Sequence, residues 1–443
     1  MNSKHYLRYG TAADQKYMKK YQHTYDGVAL NGTMLAHISK AISVFLHKDL
    51  IGKALIIDPM THAFQHDLDK IKNQYGGIRS SVDKLIEIYG DPVATVINKN
   101  SRPVRLADFT DVNINGFIDR VLNFQMNHLK LNLDDKFQEY IEFYGLYQEP
   151  SILVAPYVYL THSNIDIWRD LNCKFLERSL GMKKKFNKQI FAQLVINGNL
   201  LKDDRKINDL IACLSAADGI LYWIDGLDET KASIQELMAI KSLVLEYKNL
   251  NPTKQIISLY GGYFTELLLK FGLSGIVHGL EYGENREVVP VGGGIPQSKY
   301  YLPPIKKRVA APTMLGILRF FDINTHKKFH NEICDCEICK KVIKKSPIDE
   351  DFNKFIKVKP EPKIIRYKKS GNIREIFFPA KESKELCLFH YLEVKNKEIT
   401  AIPNKSLESL LQSLLKDHEK FSKYFSEGEI DYLKDWHKVL ADA

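Results

Sequence analysis

The sequence predicts an α/β fold, a closed (β/α)8 TIM-like barrel over residues 1–330 with a zinc-binding subdomain near the C-terminus. Three observations predict it. Several short runs are apolar almost throughout instead of alternating, as strands covered on both faces must be. Longer stretches between them repeat apolar residues at spacings of three and four, the pattern of helices with one buried face. Late in the chain, three cysteines crowd into Cys334-Asp335-Cys336-Glu337-Ile338-Cys339.

The strand candidates, in order, are residues 54–58 (ALIID), 151–159 (SILVAPYVY), 190–196 (IFAQLVI), 219–224 (GILYWI), 255–259 (QIISL) and 275–278 (GIVH). Residues 231–247 (KASIQELMAIKSLVLEY) are the clearest helix between them. Strand-helix order repeated over roughly 300 residues fits one closed barrel better than several domains of about 150 residues. A doubly wound open sheet is the structural alternative. Residues 331–400 form the zinc-binding subdomain, interrupted by a basic insertion at 340–378, and 401–443 read as C-terminal helices. Within the insertion, 363–378 (KIIRYKKSGNIREIFF) reads as a hairpin, with Ser370-Gly371-Asn372 supplying turn chemistry.

Composition excludes several classes. A chain of 443 residues that is 44% hydrophobic and 26% charged, with 16 prolines, is neither disordered nor fibrous. No apolar run approaches the roughly 18–20 residues needed to cross a bilayer, and the N-terminus shows no signal-peptide core. The six cysteines are too sparse for a disulfide scaffold, so a reducing cytoplasm is the expected setting. The formal charge of +9 is uneven: residues 1–300 hold 35 basic and 33 acidic groups, whereas 340–376 alone hold twelve and five.

Thiolates at about 2.3 Å satisfy three corners of a zinc tetrahedron, and the tight Cys334, Cys336, Cys339 spacing directs three sulfurs at one point. A fourth ligand is needed. Cys387, His390, His418 and His437 downstream and His326 and His330 upstream are the candidates. With this motif the chain resembles the tRNA-guanine transglycosylases and their relatives that place 7-deazaguanines into nucleic acid. That family combines a (β/α)8 barrel with a C-x-C-x-x-C zinc site completed by a histidine at the head of a helix. Leu388-Phe389-His390-Tyr391-Leu392 is similar to that helix, so the resemblance implies His390 as the fourth ligand of a structural Zn2+. Cys339 and His390 lie further apart than in the family, and the excess coincides with the basic insertion.

The resemblance extends across residues 50–400. Ile56-Ile57-Asp58-Pro59 ending in Ala63-Phe64-Gln65 is similar to the family's strand that closes on an aspartate, which implies that Asp58 contacts the base and handles protons. Read by itself, Asp58 is either a site carboxylate or the cap of the next helix, and His62 and His66 beyond it either contribute or are solvated. Residues 191–199 and 219–226 are similar to strand ends that border the base, which makes Asn197 and Asp225 candidates for reading it; ordinary turn roles fit them equally. Gly261, Gly262 and Tyr282 complete the substrate-binding set.

The family's nucleophile is an aspartate just before the zinc region. Here His278 takes its place, and a neutral imidazole is a poor partner for an anomeric carbon. Glu281 or Glu284 serves instead if the loop is shifted. Residues 290–304 (PVGGGIPQSKYYLPP) read either as a ligand-approaching loop or as a rigid cover over the mouth. In the inserted hairpin, Lys363, Arg366, Lys368, Lys369 and Arg374 interleave with aromatic residues, a pattern suited to phosphates and unpaired bases.

The resemblance therefore implies a pentosyltransferase that binds guanine or a 7-deazaguanine and exchanges it into tRNA or DNA. It also implies a possible homodimer or partner protein through the zinc region and no membrane. The alternative is a catalytically degenerate homologue that binds a base, nucleic acid or protein in a bacterial antiviral defence system.

Overall fold

Arg8 and Arg286 of the finished structure face the same end of a barrel whose first two strands were not among the candidates above. The structure is a computed structural model that describes residues 3–73, 75–280, 283–289, 298–366 and 373–442. The chain divides into two compact units, Met1–Pro290 and Val291–Ala443. Residues 299–330, grouped with the barrel in the sequence reading, thus belong to the second unit.

The first unit is a nearly closed parallel barrel. Its strands are β1 (Lys4–Tyr9), β2 (Gly27–Asn31), β3 (Ala54–Asp58), β4 (Leu153–Val154), β5 (Tyr159–Leu160), β6 (Ile190–Ile196), β7 (Gly219–Ile224), β8 (Gln255–Ser258) and β9 (Gly275–His278). They run in the order β3-β2-β1-β9-β8-β7-β6-β4, with β5 also on β6. Both β4 and β5 pair with β6, at its start and its end, so they fill one barrel position as a strand interrupted around Pro156. Pro156 has no N–H to give to a ladder, which accounts for the break. Between β3 and β4 the seam is bridged by the Ser151 N–H, which donates to the Leu55 carbonyl at 2.7 Å.

Alternation along each strand sorts side chains into an interior and an outer layer. Tyr6, Ala29, Ile56, Val154, Phe191, Leu221, Trp223, Ile257 and Val277 meet inside. Size complementarity sets the lower layer: a Cβ on Gly219 would lie 2.5 Å from the Phe191 ring, and one on Gly27 would lie 2.7 Å from the Tyr6 ring. Glycine on one strand makes the room its neighbour's aromatic ring occupies. On the outside, the helix Ile234–Leu250 begins at a reciprocal Ser233–Glu236 cap. Two helices of the outer layer, Ile165–Gly181 and Asp204–Leu214, are joined by a Cys173–Cys213 disulfide, a bond the cysteine count did not lead us to expect.

The second unit starts with the antiparallel pair β10 (Lys299–Leu302) and β11 (Lys307–Ala310) and continues in helices. Its central element is the helix Lys381–Ala401, in which every residue from Cys387 to Lys395 is buried. The inserted hairpin is present as β12 (Lys363–Arg366) and β13 (Ile373–Ile376), antiparallel and forming a sheet of their own. Its turn, with Lys368 and Lys369, lies outside the described residues, as do Glu281 and Tyr282. Among the described residues no helix is long and apolar enough to cross a membrane.

Candidate functional site

In the second unit, Cys334, Cys336, Cys339 and His390 come together, all four buried, with their ligand atoms within 4.8 Å of one another. The cysteine loop leads directly into the helix Glu337–Val342, where the Cys339 and Cys336 N–H groups donate to the Cys336 and Cys334 sulfurs at 3.4 Å. His390 Nδ1 lies 3.7, 3.3 and 3.4 Å from the three sulfurs in chain order. Its Nε2 donates to the Tyr301 carbonyl at 2.6 Å, which leaves Nδ1 as the nitrogen aimed at the thiols. Tyr300 stacks on the imidazole at 4.0 Å, and its hydroxyl is 3.1 Å from the Cys339 sulfur.

The electrostatics match a ligand cage. Hydrogen bonding to the Cys334 and Cys339 sulfurs holds the Cys336 thiol far below its ordinary value, whereas burial pushes Cys339 up. Burial alone would lower His390, but the Cys334 and Cys336 sulfurs reverse this and bring it up to about 10. A buried Cys3His set of this kind could hold a metal ion.

Three of the other ligand candidates have partners elsewhere. Cys387 faces the Phe355 carbonyl, and burial pushes its thiol up to about 12. His330 lies against the carbonyls of Cys334 and Ile343, and His418 bonds Asp431 at 2.7 Å. His390 itself sits in the third turn of Lys381–Ala401, not at the head of the helix as the resemblance implied.

In the first unit, the C-terminal ends of the strands gather a separate polar cluster. Asp58, at the end of β3 and 4% exposed, accepts from the Tyr157 hydroxyl at 2.6 Å and from the Met60 N–H at 2.9 Å. Because Tyr157 donates to Asp58, it accepts from His62 Nδ1, 2.8 Å away. The result is a chain Asp58–Tyr157–His62. Burial raises the Asp58 pKa despite the Tyr157 and Met60 hydrogen bonds and the nearby Arg286. Burial lowers His62 well below its ordinary value, so its ring is neutral. Asp58 is thus a buried acid at the mouth of a barrel that also accepts from the backbone leading into the short helix Thr61–Gln65.

The remaining candidates are placed as follows. Asp225 accepts from the Tyr159 hydroxyl at 2.5 Å and the Val288 N–H at 2.7 Å, clamping the loop after β9 onto the end of β7. Asn197 caps the short helix Gly198–Leu201 by accepting from the Leu200 N–H. The Gly262 N–H donates to Glu229, a buried carboxylate that also accepts from the Phe264 and Thr265 N–H groups. Glu229 thus fills the helix start beside Gly261 and Gly262 where an anionic ligand would otherwise sit. Glu284 approaches that segment, its carboxylate lying 3.6 Å from where a Cβ on Gly262 would be.

His278 does not join the cluster. The alternation that turns Val277 inward turns His278 to the outer side of β9, fully buried, with its Nε2 2.7 Å from His5 Nε2. His5 donates from Nδ1 to the Thr24 carbonyl, so its Nε2 accepts from His278. A ring turned outward in this way points away from the barrel interior.

Two contributors at the mouth were missed in the sequence. Gln193 on β6 is 2% exposed, shares the inward parity of Phe191 and Val195, and makes no side-chain hydrogen bond of ordinary geometry, though it lies close enough to Asp58 to help hold that carboxyl down. Arg286 donates to the Tyr260 hydroxyl at 2.8 Å and packs on Trp223 and Tyr260. The signal for Gln193 was an amide inside an otherwise apolar strand; Arg286 sits in a loop with no pattern to mark it. Compared with known proteins, the chain matches no protein-family model and no curated protein.

Proposed function

We propose that the barrel mouth binds guanine or a 7-deazaguanine and exchanges it into tRNA or DNA, and that the Cys3His set holds a structural zinc. The observation that carries the base-handling part is Asp58, a buried acid at a strand end with a raised pKa, tied through Tyr157 to a neutral His62. An acid whose pKa is raised holds its proton to higher pH, and can deliver it to a departing base and recover one from the incoming base. A carboxylate attacking the anomeric carbon would form a glycosyl ester that the new base then displaces, with no water or redox partner consumed. Glu284 and Glu281 are the carboxylates proposed for that attack.

Zinc is favoured by size. A tetrahedron with about 2.3 Å to sulfur and about 2.05 Å to nitrogen has nitrogen–sulfur edges of about 3.6 Å; the observed edges run from 3.3 to 3.7 Å. The hairpin residues Lys363, Arg366, Lys368, Lys369 and Arg374 are proposed to contact the nucleic acid, and the setting is proposed to be cytoplasmic.

One observation favours a second reading. His278 stands where the family's nucleophile would be and is turned away against His5, which suits a homologue that binds a base without exchanging it, as part of a bacterial defence system. Incubation with labelled guanine or 7-cyano-7-deazaguanine and tRNA or duplex DNA separates the two. Incorporation that is lost in Asp58→Asn and Glu284→Gln supports exchange; tight base binding with no incorporation supports the second reading.

A further inference from the structure

Two guanidinium groups stand at the barrel mouth, that of Arg286 supported by the Tyr260 hydroxyl and the nearby Asp58, that of Arg8 lowered by burial. Arg8 follows Tyr6 with the same inward parity on β1, and its Nε is buried without a hydrogen-bond partner. Among the described residues it makes no ion pair. Its guanidinium lies 5.3 Å from the centre of the Tyr260 ring, and that of Arg286 lies 5.8 Å from the same ring.

The carboxylates within electrostatic reach of Arg8 are already engaged. Asp14 accepts from the Gly10 N–H and from the N–H and hydroxyl of Thr11. Asp58 is held by Tyr157 and Met60, and burial favours its neutral form. Burial also pushes the Arg8 guanidinium down, since a desolvated cation without an anion is disfavoured.

Gln193 is the independent second observation. Both polar atoms of this amide are buried without a hydrogen bond of ordinary geometry, its polar interaction being with Asp58, and an amide left so costs about 1–3 kcal/mol unless something else completes it. It lies beside Asp58 at the inner end of the same mouth, with the Trp223 and Tyr260 rings alongside. Aromatic walls, an amide offering one donor and one acceptor, and paired guanidinium groups match a planar heterocycle carrying an oxyanion.

We infer that the barrel mouth takes a phosphorylated nucleoside, its base edge met by Gln193 and its phosphate by Arg8 and Arg286. This rests on the base-binding reading above and adds the charge of the ligand to it. The phosphate belongs either to a free nucleotide or to a strand, and the same chemistry recognises both.

The test measures binding of guanosine, guanosine 5′-monophosphate, a short 5′-phosphorylated oligonucleotide and inorganic phosphate to the full chain by calorimetry. The expected result is that the monophosphate binds about tenfold or more tightly than guanosine, and that Arg8→Gln abolishes this preference while leaving guanosine affinity in place. A preference for the oligonucleotide over the monophosphate assigns the phosphate to a strand, and the reverse assigns it to a free nucleotide. Gln193→Leu should weaken guanosine and leave inorganic phosphate unaffected.

Equal affinity for guanosine and its monophosphate in the wild type, or an unchanged preference in Arg8→Gln, overturns the inference. If Arg8→Gln does not fold, the wild type still decides: guanosine 5′-monophosphate must raise its melting temperature more than the same concentration of guanosine does, and an equal rise overturns the inference. Base exchange without a phosphate preference removes this inference alone. A phosphate preference without guanine binding or exchange removes the base-exchange reading alone.

Discussion

At the scale of single residues, the informative side chains are those that break the rule of their own surroundings. Asp58 is an acid where burial favours the neutral form. Its raised pKa means the folded state binds that proton more tightly than the unfolded chain does. The contribution is complete below about pH 3.8, the ordinary value, and is lost as pH rises through the raised one. Asp58→Asn should therefore melt above the wild type at pH 8, with the gap closing as pH falls toward 4; a lower melting temperature at pH 8 would contradict this. Tyr157→Phe removes a hydrogen bond that holds Asp58 down, so any pH profile governed by Asp58 should move to higher pH. Asp58 was legible in the sequence because a carboxylate closing an apolar strand is conspicuous. Gln193 and Arg8 were not, because their meaning depends on which face of a strand each occupies, and parity is fixed only once neighbouring strands are in register.

At the scale of elements, the apolar runs of β3, β6, β7, β8 and β9 were readable as strands because both faces are covered. β1 and β2 escaped notice. KHYLRY mixes cations into a short strand, Arg8 among them at the mouth, and GVALN is only five residues long and opens on a glycine. The cysteine run was legible from spacing alone, whereas His390 was one of six candidates by residue type and was singled out by the resemblance, since the hairpin β12–β13 lies between it and its partners. Cys336→Ser should reduce bound metal from one ion per chain to none on elemental analysis and lower the unfolding temperature of the second unit. For the hairpin itself, charge reversal at Lys368, Lys369 and Arg374 should reduce the slope of log K against log salt by about 3 on duplex DNA, or somewhat less on a single strand. An unchanged slope removes the hairpin from the nucleic-acid interface.

At the scale of the whole molecule, charge and covalent bonding divide unevenly. Residues 1–290 carry 34 basic and 33 acidic groups, so the excess lies almost wholly in the second unit, which carries 29 and 21. The barrel has its own staple in the Cys173–Cys213 disulfide, whose partners are 40 residues apart. A loop of that length corresponds to about 3–4 kcal/mol of stabilisation in the chain-entropy account. Urea unfolding with and without reductant should differ by that amount, and coincident curves would show that the bridge contributes nothing.

The Cys3His set also constrains timing. Synthesis proceeds from the N-terminus, so Tyr300 and Tyr301 emerge first, the three thiols next, and the imidazole only after the whole basic hairpin has been made. For an interval the ribosome presents three sulfurs with no fourth ligand. A metal arriving then would be held by thiolates alone, and the helix carrying His390 would dock onto an ion already in place. The helix Lys381–Ala401 would be recruited by the metal instead of preparing a site for it.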